Sequence, residues 1–351
     1  MSTTSYAKPG TEAEWQEYYG RLGTRNAAPL WEVLAGIVPR QPRPICLPAI
    51  WRYDEMRPLL MEAGRRITAR EAERRVLILE NPGIRGQSGI TQSLYGGLQL
   101  VLPGEIAPTH RHVASALRFV IESDGGYTAV NGERTTMHPG DFILTPSWTW
   151  HDHGNPGKAP VIWLDGLDIP TVNHFETSFF EHHPQETQPG ERPDGDSLMR
   201  FGGNMVPVEY QAGNPPAPLF TYPYARSRET LERVYRNSPI HPCHGVKMQF
   251  VNPVSGGYTM PTIGAFLQLL PAGFRGLPYR ATDGTVYCAV EGQGRSRVGD
   301  ATFDWKEHDI FVVPSWYPVS HESGGEAVLF SFSDRPVQKT LGLWREEVPM
   351  L

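Results

Sequence analysis

The segment Asp141-Phe142-Ile143-Leu144-Thr145-Pro146-Ser147-Trp148 reads against Asp309-Ile310-Phe311-Val312-Val313-Pro314-Ser315-Trp316 at an offset of 168 residues. Upstream of each, Leu117-Arg118-Phe119-Val120-Ile121-Glu122 reads against Val286-Tyr287-Cys288-Ala289-Val290-Glu291 at an offset of 169. Two similar blocks in the same order at nearly one offset mark an internal duplication. The runs are short, apolar and closed by Gly, Pro, Asn and Asp turns, which is the pattern of a sandwich or barrel. The expectation is an all-β-dominated chain built on two copies of one barrel, near 90–175 and 260–335.

Working outward, Leu94-Tyr95, Gly97 to Leu102 and Tyr127 to Val130 extend the strand pattern of the first copy. Residues 1–89 read as an N-terminal helical segment with the first strands. Trp15, Tyr18, Tyr19, Leu22, Leu30, Trp31, Val33 and Leu34 follow a broken helical spacing, and a further helix is expected over Tyr53 to Arg75, running into a strand at Arg74 to Leu79. The first barrel is assigned to 90–183, a Pro- and Gly-rich connecting region with a short helix around Glu229 to Tyr235 to 184–259, and the second barrel to 260–351.

Composition limits the partners. The 351 residues carry a formal charge of −6 with no long run of one sign, so nothing favours a nucleic-acid or membrane surface. Three widely spaced cysteines, Cys46, Cys243 and Cys288, fit buried thiols in a reducing cytoplasm better than a disulfide scaffold. The first thirty residues lack an apolar leader segment, and no apolar stretch is long enough to span a bilayer, so a cytoplasmic protein is expected.

The chemistry concentrates in the first copy. His110-Arg111-His112 places two imidazoles two residues apart, which on a strand is one face. His151 follows the Pro146-Trp148 block and offers a third nitrogen. A lone strand histidine is usually structural, but two spaced blocks around hairpins favour ligation of one metal ion by His110, His112 and His151. Three neutral imidazoles suit a divalent first-row ion and leave positions open. In the second copy the same offsets give Tyr279, Ala281 and Val319, which cannot form such a site, so that barrel is expected to be structural. His321 reads as a surface residue, and His241-Pro242-Cys243-His244 as a loop.

The two histidine blocks resemble the motifs of the cupin superfamily, which implies a bicupin of two double-stranded β-helix (jelly-roll) barrels. Many cupins add a glutamate after the paired histidines. Here the sequence runs Val113-Ala114-Ser115-Ala116-Leu117-Arg118, and Glu122 lies too far along to replace it. A site of three neutral ligands keeps the full charge of its ion and so favours an anionic, chelating substrate. Arg118, flanked by apolar residues, is expected to point inward toward such an anion.

More specifically, His110 to His112, Ala116 to Val120, Thr145-Pro146-Ser147-Trp148-Thr149-Trp150-His151-Asp152-His153-Gly154-Asn155 and Asp165-Gly166-Leu167-Asp168-Ile169-Pro170 resemble bacterial gentisate 1,2-dioxygenases. The wider family includes salicylate and 1-hydroxy-2-naphthoate dioxygenases. The resemblance extends to Glu73-Arg74-Arg75 and Leu94 to Gln99. It implies an Fe(II) enzyme, usually a homotetramer, that uses O2 to open the ring of a small aromatic hydroxy-acid between its carboxyl- and hydroxyl-bearing carbons. Gentisate would give maleylpyruvate. Residue by residue, it implies that Arg74 and Arg118 contact the substrate carboxylate and that His153 lies beside the substrate hydroxyl. Tyr95, Gly97 and Gln99 would line the ring pocket, with Asp165 near the second hydroxyl of gentisate. Asp165 and Gln99 could equally serve strand-end hydrogen bonds. Tyr95 favours gentisate over salicylate, because some salicylate-cleaving relatives carry Trp there. Salicylate or 1-hydroxy-2-naphthoate cleavage, and a non-oxygenase cupin binding protein or isomerase, stay open as alternatives.

Overall fold

The computed structural model describes residues 9–211 and 217–349; residues 212–216 of the expected connecting region lie outside the described residues. The chain divides into two units at Arg43. The smaller carries α1 (Glu12–Gly23) and α2 (Leu30–Ile37). A capping box starts α1: the Thr11 hydroxyl accepts from the Glu14 N–H at 3.3 Å, and the Glu14 carboxylate accepts from the Thr11 N–H at 2.6 Å. Neither helix has a fully buried residue.

The larger unit begins with β1 (Ala49–Trp51), α3 (Tyr53–Arg66), β2 (Val76–Ile78), β3 (Tyr95–Val101), β4 (Ile106–His112) and β5 (Ala116–Glu122). It continues with β6 (Tyr127–Val130), β7 (Glu133–Thr136), β8 (Phe142–Thr145), β9 (His151–Gly154), β10 (Val161–Leu167), α4 (Ile169–His174) and β11 (Phe180–His182). Then come α5 (Asp196–Phe201), β12 (Thr221–Tyr222), α6 (Tyr224–Asn237), β13 (Val246–Gln249), β14 (Gly264–Leu270), β15 (Arg280–Ala281) and β16 (Thr285–Glu291). The chain closes with β17 (Gln293–Val298), β18 (Ala301–Lys306), β19 (Ile310–Val313), β20 (Val319–Glu322), β21 (Ala327–Ser333), α7 (Arg335–Thr340) and β22 (Glu346–Glu347).

Two helices differ in length from the sequence reading. Helix α3 stops at Arg66 because Ile67 is already extended and Glu73 is left-handed, with φ 54°. Helix α6 starts at Tyr224, five residues before the expected Glu229, because its first N–H is held by the Asp141 carboxylate at 2.9 Å.

The first barrel has sheets ordered β12-β8-β5-β10-β3-β2 and β11-β4-β9-β6-β7. The second has β1-β19-β16-β21-β14-β13, with the smaller sheets β18-β17-β20 and β15-β22. The repeat is therefore exchanged at its edges: β1 precedes the first barrel in sequence but pairs with β19 of the second, and β12 precedes the second but pairs with β8 of the first. The helices obey the same symmetry. Tyr53 at the start of α3 donates its N–H to Asp309 at 2.9 Å and its hydroxyl to Glu122 at 2.6 Å. Tyr224 at the start of α6 donates its N–H to Asp141 and its hydroxyl to Glu291.

This exchange explains why β5 is buried on both faces. Leu117, Phe119 and Ile121 enter a core shared by both barrels, where Phe119 stacks on Phe330 with ring centroids 4.2 Å apart. Ala116, Arg118 and Val120 alternate onto the opposite face. At Gly166 the barrels approach so closely that a Cβ would lie 2.7 Å from the Phe332 ring. Only glycine fits between them.

Candidate functional site

Strands β4 and β9 are antiparallel neighbours, with His110 directly opposite His151. His112 lies two residues on, on the same face as His110. One ligating nitrogen from each of the three lies within 4.8 Å of the others. Ring centroids are 4.5 Å apart for His110 and His151, 4.8 Å for His112 and His151, and 5.3 Å for His110 and His112.

Hydrogen bonding settles the tautomers of two of them. His112 Nδ1 lies 2.7 Å from the Ala114 carbonyl and His151 Nδ1 lies 3.0 Å from the Thr149 carbonyl. A carbonyl only accepts, so each Nδ1 carries the proton and each Nε2 keeps a lone pair. The Nε2 of His151 is buried with no hydrogen-bond partner. Burial pushes the His112 imidazole down to about 4, aided by the nearby Arg118 and Arg74, and holds His110 and His151 far below their ordinary value. Three neutral nitrogen donors with at least one orphaned lone pair fit a divalent metal ion. Glu122 does not complete the set: it accepts from Tyr53 and from Arg57 at 2.6 Å.

The remaining sequence-selected residues come from the other sheet of the same barrel. Gly97 on β3 pairs with Asp165 on β10, which pairs with Arg118 on β5, so one row crosses three strands. Two residues along, Gln99 pairs with Trp163, and at the other end Tyr95 pairs with Leu167. Tyr95, Gly97 and Gln99 therefore share a face with Asp165 and Arg118. Arg118 donates through Nη1 to the Thr145 hydroxyl, while its Nε has no hydrogen-bond partner. Trp163 Nε1 donates to Asp165 Oδ1 at 2.8 Å. Burial pushes the Asp165 carboxyl up to about 6 against the opposing pull of Arg118, Trp163 and Arg74.

Arg74 reaches the same region because left-handed Glu73 turns the chain. Its guanidinium donates to the Pro108 carbonyl at 3.0 Å and to the His151 carbonyl at 3.5 Å. Burial, then Arg118, lowers Arg74 to about 9, which still leaves it charged at neutral pH. Arg75 turns the other way, into a buried pair with Glu105.

His153 is fully buried with its Nδ1 3.0 Å from Thr128 Oγ1 and its Nε2 without a partner. The Thr128 hydroxyl donates to the Met137 sulfur at 3.6 Å, so it accepts from His153 Nδ1–H. That assignment leaves a lone pair on His153 Nε2. Thr128, read from the sequence only as part of a strand, and Met137 were not among the expected site residues; Thr128 comes beside His153 through the register of β6 on β9.

The second barrel repeats the frame without the ligands. Tyr279 and Val319 form a bridge in the place of His110 and His151, and the Trp316 N–H donates to the Ala281 carbonyl as the Trp148 N–H does to that of His112. His321 is not a surface residue: it is 1% exposed, with Nδ1 2.8 Å from Ser296 Oγ. Alternation from inward-facing Val319 places it inside the barrel, in the position of His153. His241 and His244 stack in a tight turn, where the Cys243 N–H donates to His241 Nδ1. All three cysteines are buried and unpaired. Among the described residues no helix is long and apolar enough to cross a membrane.

A Cupin domain model matches residues 97–167, which include all three histidines. The chain is 55% identical to gentisate 1,2 dioxygenase 1 of Aquipseudomonas alcaligenes over 97% of its own length and 98% of that protein. It is 37% identical to the 5-aminosalicylate 1,2-dioxygenase of Comamonas sp., covering 93% of this chain and 88% of that one. Among solved structures, a Trp-to-Tyr variant of the salicylate 1,2-dioxygenase of Pseudoaminobacter salicylatoxidans in complex with gentisate superposes with a TM-score of 0.93. The sequences are 30% identical, and the match covers 100% of this chain and 99% of the other.

Proposed function

Because the chain belongs to the gentisate 1,2-dioxygenase family, we propose that it opens the ring of gentisate between the carboxyl-bearing carbon and the adjacent hydroxyl-bearing carbon. Both atoms of O2 enter the product, maleylpyruvate, so no external reductant is needed. The observation that carries this reading is the meeting of three neutral imidazoles on one sheet with two inward arginines from the same barrel. His110, His112 and His151 would hold Fe(II). Bound there, the ion would lower the pKa of a coordinated hydroxyl and activate dioxygen.

The protein's own groups position the substrate. Arg118, whose Nε makes no hydrogen bond, and Arg74 hold its carboxylate, and burial strengthens that attraction relative to water. His153 presents Nε2 to take the proton of the 2-hydroxyl. Tyr95, Gly97 and Gln99 confine the ring, and Asp165 accepts from the 5-hydroxyl that salicylate lacks. Fixing the acid by both ends restricts its orientation before reaction.

A cytoplasmic location is supported by three unpaired thiols. A homotetramer is supported by apolar residues left exposed near the ends of both barrels, including Phe175, Phe179, Leu341 and Leu343. The deciding experiment loads the protein with Fe(II) anaerobically and records oxygen uptake with gentisate, salicylate, 5-aminosalicylate and 1-hydroxy-2-naphthoate. Gentisate is expected to be consumed fastest, one O2 per ring. A faster rate on 1-hydroxy-2-naphthoate would move the assignment within the family, and no uptake with any of the four acids would overturn it.

A further inference from the structure

The turn after His112 is held from the other barrel. His112 Nδ1–H donates to the Ala114 carbonyl at 2.7 Å, and the next residue, Ser115, donates its N–H to Asp168 Oδ1 at 2.8 Å. Asp168 follows β10 and precedes α4, is 3% exposed, and accepts on its second oxygen from the hydroxyl of Thr262. Thr262 lies two residues before β14 of the second barrel. A continuous line of hydrogen bonds therefore runs from the barrel without ligands to the ring orientation of one ligand.

The second barrel contains the same device in mirror role. Asp334 Oδ1 accepts from the Gly284 N–H at 2.9 Å, and its Oδ2 accepts from the Ser93 hydroxyl of the first barrel at 2.7 Å. Here the turn it holds follows Ala281, which has no ligating side chain, and the one carboxylate on that turn, Asp283, is paired with Arg335 at 3.1 Å. The two aspartates hold corresponding turns and reach corresponding hydroxyls, Asp334 Oδ2 also accepting from Gln338 at 3.0 Å, but they differ in consequence. That asymmetry supplies an internal control for separating metal positioning from simple cohesion of the barrels.

We infer that Asp168, braced by Thr262, is a positioning residue that sets the His112 imidazole for metal binding, and that the second barrel contributes to the metal site through it. This rests on the three-histidine site proposed above. Without Asp168 the Ser115 N–H is buried and unpaired, and the Val113–Ser115 turn must move to find another acceptor. The Ala114 carbonyl moves with it. His112 then loses the partner that fixes its tautomer and its plane, a change that in other metal sites lowers affinity about 10- to 100-fold.

The test measures Co(II) affinity of the full chain by competition with a chromophoric chelator, beside thermal unfolding of each apoprotein. Asp168→Ala is expected to weaken Co(II) binding at least about tenfold, and Asp168→Asn, which keeps an oxygen for the Ser115 N–H, to recover most of it. Asp334→Ala should lower the melting temperature comparably and leave Co(II) affinity within about twofold. Should the alanine variants not fold, Thr262→Val against Ser93→Ala makes the same comparison on the inter-barrel arm alone. Equal Co(II) affinity in the two members of a pair overturns the inference. Failure of the unsubstituted protein to bind Co(II) would instead overturn the three-histidine site itself, and the inference with it.

Discussion

Arg118 and Asp165 stand directly opposite one another on adjacent strands, both buried, with Arg118 Nε 3.8 Å from Asp165 Oδ1. The carboxylate offsets part of the charge of two inward arginines, yet burial still dominates its own protonation and raises it to about 6. A carboxyl raised in this way is neutral below its folded pKa and anionic above it. As an acceptor for the 5-hydroxyl it is stronger in the anionic form, where the bond is charge-assisted. The ratio of kcat/KM for gentisate to that for salicylate, which has no such hydroxyl, should therefore fall as pH drops through about 6. A ratio constant between pH 5 and 8, or an Asp165→Asn variant with the same pH dependence, would remove Asp165 from substrate recognition.

Arg118→Ala should act on substrate binding and not on the ion. Truncating one member of a buried charge pair costs about 2–5 kcal/mol, so KM for gentisate should rise by a factor of about thirty or more. Iron content per chain should stay near that of the unsubstituted protein, because Arg118 bonds to Thr145 and not to any of the three histidines. An unchanged KM would place the substrate carboxylate elsewhere.

Gly97 is the one position in the row where a methyl group meets the pocket wall. A Cβ there would lie 2.5 Å from Val76 Cγ1 and 3.1 Å from the Tyr95 hydroxyl. Gly97→Ala should displace the Tyr95 ring, raising KM for gentisate severalfold with little loss of bound iron. Parallel determination of both quantities tests this, since a fall in iron alone would mean that the strand itself had shifted.

Gly166→Ala tests the contact between barrels. The added carbon would meet the Phe332 ring at 2.7 Å and Leu117 Cγ at 3.0 Å, within a core where neither neighbour has room to retreat. Overpacking of this kind costs about 1–3 kcal/mol. Denaturant unfolding should show a midpoint lowered by that energy divided by the slope, with the slope itself unchanged.

Metal retention should survive mild acid. An ordinary imidazole takes up its proton near 6.5, and protons then compete with the ion for it. Here burial depresses all three ligands, with His112 lowered to about 4 and the others further. The neutral, ligating form thus persists as pH falls past 6.5. Co(II) affinity should change little between pH 7 and 5.5; a steep loss starting at pH 6.5 would contradict the burial of the site.

Much of this was legible in the residues because strand alternation is a local rule. Once Leu117-Arg118-Phe119 is a strand, Arg118 must face away from Leu117 and Phe119, and His110 must share a side with His112. The same rule put Gln99, Gly97 and Tyr95 together. It also turns His321 inward, because that residue sits two residues from buried Val319 on one strand.

Sequence alone determined the duplication, the barrel class, the lack of histidines at the equivalent positions of the second copy and the grouping of His110, His112 and His151 in the first, since all of these follow from periodicity and residue type. Tertiary structure alone decided that β1 and β12 cross to the opposite barrel, and that Thr262 reaches Asp168. The reason is physical. Alternation and turn chemistry act over a few residues, whereas the choice of partner across 94 residues or more depends on how two cores close against each other, and no local period records it.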